Sequence, residues 1–184
     1  MPLLRRDLLK SGLAAAGAAS IIGAAAPALA FPELDVRRLG FLNLHTGEAL
    51  NVAYWERGAY LPDALKAVNH VLRDYRNGEV HTIEPKLLDL LVVLSGKVAS
   101  RDRFQVISGY RSPATNAAMH ERSSGVAAKS LHMEGKAIDI RVPGVALTRL
   151  RDAALAMGVG GVGYYPTSDF VHVDVGRPRR WSGA

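Results

Sequence analysis

The spacing of hydrophobic and polar positions changes several times along this chain. Residues 37–58, RRLGFLNLHTGEALNVAYWERG, alternate in two runs on either side of HTGE and predict a β-hairpin. Over residues 61–78 the period becomes helical. Leu65, Val68, Leu72 and Tyr75 fall on one face, and Gly78 stands just beyond the end. Residues 83–100 predict a second helix, with Pro85 in its first turn and a body apolar nearly all round, as a buried helix requires. The second half reads as a strand at 104–108 running into a turn, a short helix at 113–123 and a glycine-containing loop at 124–130. A strand at 137–142, an amphipathic helix at 146–158, a glycine-rich strand at 160–166 and a final strand at 169–176 complete it. Helices early, then strands with short helices, predict an α+β fold built on an antiparallel sheet with flanking helices.

The first 30 residues follow a different pattern. LLRRDLLKSG carries Arg5, Arg6 and Lys10, and the weakly apolar run LAAAGAASIIGAAAPALA follows, with small residues at Ala28 and Ala30. A basic segment, a short apolar segment and small residues at a cleavage point make an export signal. The paired arginines resemble the twin-arginine (Tat) signal, which exports folded proteins. The alternative is an uncleaved membrane anchor, but glycines, Ser20 and Pro27 interrupt the run and alanine is a weak spanning residue. The chain is therefore expected to divide into a signal at 1–30 and one domain at 31–184. After cleavage it should be periplasmic, with no stable membrane span.

With 184 residues, 48% hydrophobic and 22% charged, the composition is that of an ordinary globular protein, and no repeat or low-complexity linker follows residue 30. Removing 1–30 takes away Arg5, Arg6, Lys10 and Asp7, which lowers the formal charge from +6 to +4. That balance favours an anionic surface such as a cell wall. No basic stripe interleaved with aromatics points to nucleic acid. The chain has no cysteine. This excludes disulfides, thiol nucleophiles, thiolate metal sites and a lipid anchor on cysteine, so any metal must be held by His, Asp or Glu.

The late strands carry the candidate chemistry. In AIDIRV, Ile138, Ile140 and Val142 share one face, while Ala137, Asp139 and Arg141 share the other. In FVHVDV, Val171, Val173 and Val175 face one way, and Phe170, His172 and Asp174 the other. Aspartate disfavours strands and is rarely buried unpaired, so Asp139 needs a compensating partner. The turn MEGK at 133–136 can bring His132 back beside it. His132, Asp139 and His172 then converge as two imidazoles and one carboxylate with a fourth position open, the arrangement of a catalytic zinc site. On spacing alone the same residues serve equally well as surface or hydrogen-bonding groups. Asp174, on the face of His172, is a natural partner to orient that ring.

Three blocks, SGYRSPATN (108–116), SLHMEGKAIDI (130–140) and DFVHVDVG (169–176), resemble those of the M15-type zinc peptidases of the bacterial cell wall, which include D-Ala-D-Ala carboxypeptidases and dipeptidases. Within that group the chain is most similar to the small exported murein endopeptidase K family, formerly a domain of unknown function. The closing GYYPTSDFVHVDVGRPRRW supports the closer match, and the similarity spans roughly residues 35–182. The resemblance implies a hedgehog/DD-peptidase-like fold and zinc ligands at His132, Asp139 and His172. It also implies a substrate- and oxyanion-binding arginine at Arg111 and a substrate-holding serine at Ser130. The general base would be a carboxylate three residues before the last ligand, here Asp169 where many relatives have glutamate, with Asp174 as its competitor.

The resulting expectation is a monomeric, zinc-dependent murein endopeptidase that cuts peptide cross-links between peptidoglycan stem peptides. A carboxypeptidase trimming D-Ala would use the same chemistry, and a wall-binding module without catalysis would keep the same fold. His45, His70, His81 and His120 are read as structural or solvated. Trp181 is read as packed, with Arg177, Arg179 and Arg180 in solvent. Tyr110, Tyr164 and Tyr165 are candidates to line a cleft.

Overall fold

The alternation over residues 37–58 closes as a hairpin because Asn43 organises its turn. Its side-chain carbonyl accepts from the His45 and Thr46 amides at 3.0 and 3.3 Å, and its backbone carbonyl accepts from Gly47 at 2.9 Å. The computed structural model describes residues 35–123 and 125–183, and the signal reading of residues 1–30 lies outside them. The hairpin strands are β1 (Val36–Asn43) and β2 (Ala49–Glu56), extended by the two-residue β3 (Ala59–Tyr60).

Helix α1 (Pro62–Val71) stops a turn short of the periodicity that reached Tyr75. Continuing it would require the Leu72 carbonyl to accept from Arg76. That carbonyl instead accepts from the Tyr110 amide at 2.8 Å, and the Arg76 amide turns to the Asp74 carboxylate at 3.1 Å. A tertiary partner thus outcompetes one more helical bond. Helix α2 (Pro85–Val98) forms the centre of the core, with Leu87, Leu88, Leu90, Leu91, Leu94 and Val98 all at most 2% exposed. Each such burial stabilises the fold by about 1.5–3 kcal/mol before entropy is counted. Its one buried acid, Asp89, is satisfied by Arg37 at 2.7 Å and by the hydroxyls of Tyr54 and Tyr60 at 2.9 and 2.6 Å.

The remaining elements are β4 (Phe104–Ser108), α3 (Pro113–Arg122), a 3-10 turn (Leu131–Glu134), β5 (Ala137–Arg141), α4 (Leu147–Leu155), β6 (Gly161–Tyr165), β7 (Phe170–Asp174) and β8 (Arg179–Ser182). Among the described residues the strands form one sheet in the order β3-β2-β1-β4-β5-β7-β6-β8. The α+β class is found, but the sheet is mixed rather than antiparallel. β1 pairs parallel with β4, and β6 pairs parallel with β8. Both departures follow from connections. The path from β1 to β4 passes through β2, β3 and two helices, a crossover long enough to bring the chain back in the same direction. Strand β7 runs against β6, so the chain leaving β7 can cover the other edge of β6 only by running parallel to it. That strand, β8, is largely exposed and has no hydrophobic alternation to announce it.

Central strand β5 is buried on both faces along Ala137–Ile140. Its register sets Asp139 opposite His172 on β7 and opposite Ser108 on β4. No helix among the described residues is long and apolar enough to cross a membrane.

Candidate metal centre and its cavity

His132 arrives at the sheet on the 3-10 turn. Ser130 caps that turn by accepting from the His132 amide at 3.3 Å. Gly135 closes it at φ +64°, and a Cβ there would lie 2.1 Å from the Thr82 carbonyl, so only glycine fits. The Arg111 amide donates to the His132 carbonyl at 3.2 Å, which ties the SGYRS turn to the same point.

Both rings are locked by what lies behind them. His132 Nδ1 sits 2.6 Å from the Gly109 carbonyl, which can only accept, so Nδ1 carries the hydrogen and Nε2 presents a lone pair. His172 Nε2 lies 3.0 Å from the Asp174 carboxylate, which leaves Nδ1 to face forward. The two forward nitrogens and Asp139 Oδ1 converge. His132 Nε2 is 3.2 Å from both Asp139 Oδ1 and His172 Nδ1, and His172 Nδ1 is 2.9 Å from Asp139 Oδ1. Donors held tetrahedrally at about 2.0–2.1 Å from a zinc ion lie about 3.3 Å apart, close to these spacings. Three electron pairs aimed at one point call for a positive charge between them, and these three residues are the described group able to hold a metal ion.

Burial and neighbouring charge act differently on the four groups. Burial pushes His132 below the usual histidine range. Burial would do the same to His172, but Asp139 and Asp174 outweigh it and raise that ring. Burial would raise Asp139, yet the His132 and His172 imidazoles hold its carboxyl well below the carboxylate range. Asp174, fully buried, is also held low against its burial. It accepts from His172, from the Gly161 and Gly176 amides at 2.8 Å each, and from Arg179 at 2.6 and 3.1 Å. Asp174 is therefore a ring-orienting group with its acceptor positions occupied.

Arg111 is 7% exposed, and its bonds are long: 3.5 Å to Asp139, 3.4 Å to Asn116 and 3.5 Å to Ser108. Among the described residues its Nε has no partner although buried. Burial, with the nearby cation of Arg76, lowers its pKa despite the attraction of Asp139. A buried cation this loosely held has donors to spare for an anion. Arg111, Ser130 and the three converging residues all line one cavity of about 610 Å³.

Asp169 is not brought to the cluster. The turn that would aim it inward exists, with Asp169 at φ +53°, but the carboxylate pairs with Arg141 and is not part of the cavity wall. Several residues read as bland do line the cavity: His45, Arg179 and Trp181, with Tyr165 beside them. Trp181 packs 5.1 Å from the His172 ring and donates to the Tyr165 hydroxyl at 2.8 Å. The only local signal was Arg179 and Trp181 at two-residue spacing, which puts both on one face of a strand. Tyr110 instead stacks on His81 and bonds Glu79, Tyr164 carries Arg151 over its ring, and His70 pairs with Glu48 at the surface. His120 bonds the Val126 carbonyl.

An α+β chain that buries two pinned imidazoles and a carboxylate at the wall of an open cavity has the make-up of a metal-dependent hydrolase. Residues 32–181 match the family model described as peptidoglycan L,D-endopeptidase MepK, of the M15 peptidases, and the chain belongs to that family. It is 44% identical over 177 residues to the peptidoglycan L,D-endopeptidase MepK of Escherichia coli (strain K12), covering 96% of each chain. The Shigella flexneri protein of that name matches with the same identity and coverage. The probable peptidoglycan L,D-endopeptidase MepK of Haemophilus influenzae is 41% identical over 148 residues, 80% of each chain. No solved structure matches significantly.

Proposed function

We propose that this chain is an exported, zinc-dependent endopeptidase that hydrolyses L,D peptide cross-links of peptidoglycan. The observation that carries the reading is the pinning of both rings: Gly109 and Asp174 fix the hydrogens behind, so His132, His172 and Asp139 offer three unprotonated donors in front. Zinc held there supplies, when bound, a Lewis acid for the scissile carbonyl and a lowered pKa for water. The chain's own residues do the rest. Arg111, buried and under-bonded, donates to the oxyanion that develops on the carbonyl. Ser130 holds the substrate backbone at the cavity wall. Asp169 takes the proton from the attacking water after leaving Arg141. That exposed pair holds it by only about 0–1 kcal/mol. Arg141 is on the face of Asp139, one pleat repeat of about 7 Å along the strand, so the Arg141 partner of Asp169 belongs to the cluster's side of the sheet.

The test is digestion of purified cross-linked muropeptides with product identification by mass spectrometry. L,D-linked dimers should become monomers. Release of terminal D-Ala alone would mark a carboxypeptidase, and binding without cleavage would mark a wall-binding module. We further propose that residues 1–30 direct export by the twin-arginine route to the periplasm. A reporter fused to residues 1–35 should be exported, and Arg5→Lys with Arg6→Lys should stop it. Normal export of the double variant would indicate the general secretory route.

A further inference from the structure

We propose that Arg76, braced on Tyr75, forms a second anion subsite of the cavity and takes a free carboxylate of the substrate peptide distinct from the bond being cut. The proposal rests on the peptidase reading and names what else in the substrate that site recognises. It begins with residues far apart in the chain. His45 comes from the β1–β2 turn, while Tyr75 and Arg76 come from the segment that breaks out of α1 early. The fold brings them together: the His45 ring stacks on Tyr75 with centroids 3.8 Å apart and planes 11° from parallel, and the Arg76 guanidinium lies 4.2 Å from the centre of the same ring. All three line the cavity that holds the metal centre.

The group is built rather than incidental. His45 Nε2 donates to the Ile107 carbonyl at 3.0 Å, and its amide is fixed on Asn43. The Arg76 amide is fixed on Asp74, whose other oxygen accepts from the Ser112 amide at 3.0 Å. Ser112 adjoins Arg111, so one buried carboxylate sets the backbones at Arg76 and Arg111, two of the three arginines on the cavity wall. A guanidinium stacked on an aromatic face has lost much of its rotational freedom already, and less remains to be lost on binding.

Charge balance says what it binds. Arg111 is answered by Asp139, and Arg179 by Asp174. Among the described residues Arg76 and Lys129 have no carboxylate partner, and Asp139 is the only carboxylate on the cavity wall. An open wall with cations in excess selects an anionic group, and the planar fork of Arg76 matches a carboxylate in two-point contact. Cations grouped around one cavity, rather than strung along a stripe, fit a compact acid and not a polyanion track. Lys129 is exposed and adds a second, less constrained charge.

Isothermal titration with an L,D-linked muropeptide and its counterpart amidated at the stem-peptide carboxylates tests this. The parent protein should bind the free-acid form about tenfold tighter. Arg76→Gln, at an exposed position, should bind both forms at the weaker level. Equal binding of both forms by the parent, or an equal loss for both in Arg76→Gln, overturns the subsite. Hydrolysis of neither form by the parent would instead refute the peptidase reading, while the binding difference would still decide the subsite.

Discussion

His132→Ala and His172→Ala should each purify with less than about a tenth of a zinc per chain, and each should hydrolyse muropeptides slower by on the order of 10³-fold or more. The parent should hold about one zinc per chain. The expectation follows from donor counting. With three protein donors, loss of one leaves two, and among the described residues the remaining pair has no free His or acid to recruit, since Asp174 is fully engaged behind His172. His132→Ala also empties a buried space and strands the Gly109 carbonyl, a structural cost separate from metal loss. Asp139→Asn separates the two effects, because it keeps shape and burial and removes only the anion. Zinc and activity should fall in Asp139→Asn while the far-ultraviolet spectrum stays that of the parent. Full zinc in His132→Ala, measured by mass spectrometry after dialysis against a weak chelator, would sink the ligand assignment.

The converging residues were legible in the sequence because alternation within a strand is local information. Asp139 between Ile138 and Ile140, and His172 between Val171 and Val173, place polar groups on the face opposite the apolar side chains, and β5–β7 register then sets the two face to face. His132 needed one more local fact, a turn ending in glycine, which MEGK supplied. The hairpin at 37–58 and helix α2 were legible for the same reason: their period and punctuation lie within a few residues.

What escaped the sequence depended on partners far along the chain. The end of α1 is set by Tyr110 taking the Leu72 carbonyl, a contact across 38 residues that no window on α1 contains. The parallel pairing of β1 with β4 and of β6 with β8 reflects how the connections run, not any pattern inside those strands. Arg179 looked like a solvated arginine because the buried charge it answers, Asp174, is recognisable as such only once β8 lies beside β6. His45 looked like a turn residue, as it is, and the Tyr75 ring beneath it belongs to a different element.

The sharpest division of labour lies between two aspartates close together in the sequence. Asp174 has no exposure and five donors on its carboxylate, from His172, two backbone amides and two nitrogens of Arg179. A group so bound cannot reach substrate or water. It can only fix the His172 ring and keep its hydrogen at the rear. Asp174→Asn should weaken zinc affinity by about 10–100-fold, with turnover returning in excess metal. Asp169 has the opposite character, exposed and held by one arginine at the surface. Exposure and a weak tether are what a carboxylate needs to swing between a resting partner and a reacting proton. Asp169→Asn should therefore keep zinc and thermal stability near those of the parent and lose about 10²–10⁴-fold in kcat, the usual contribution of a general base. Arg141→Gln, which frees Asp169 without touching the cavity wall, should retain turnover and so separate loss of the base from loss of its tether. Near-parental hydrolysis by Asp169→Asn would remove it from the reaction.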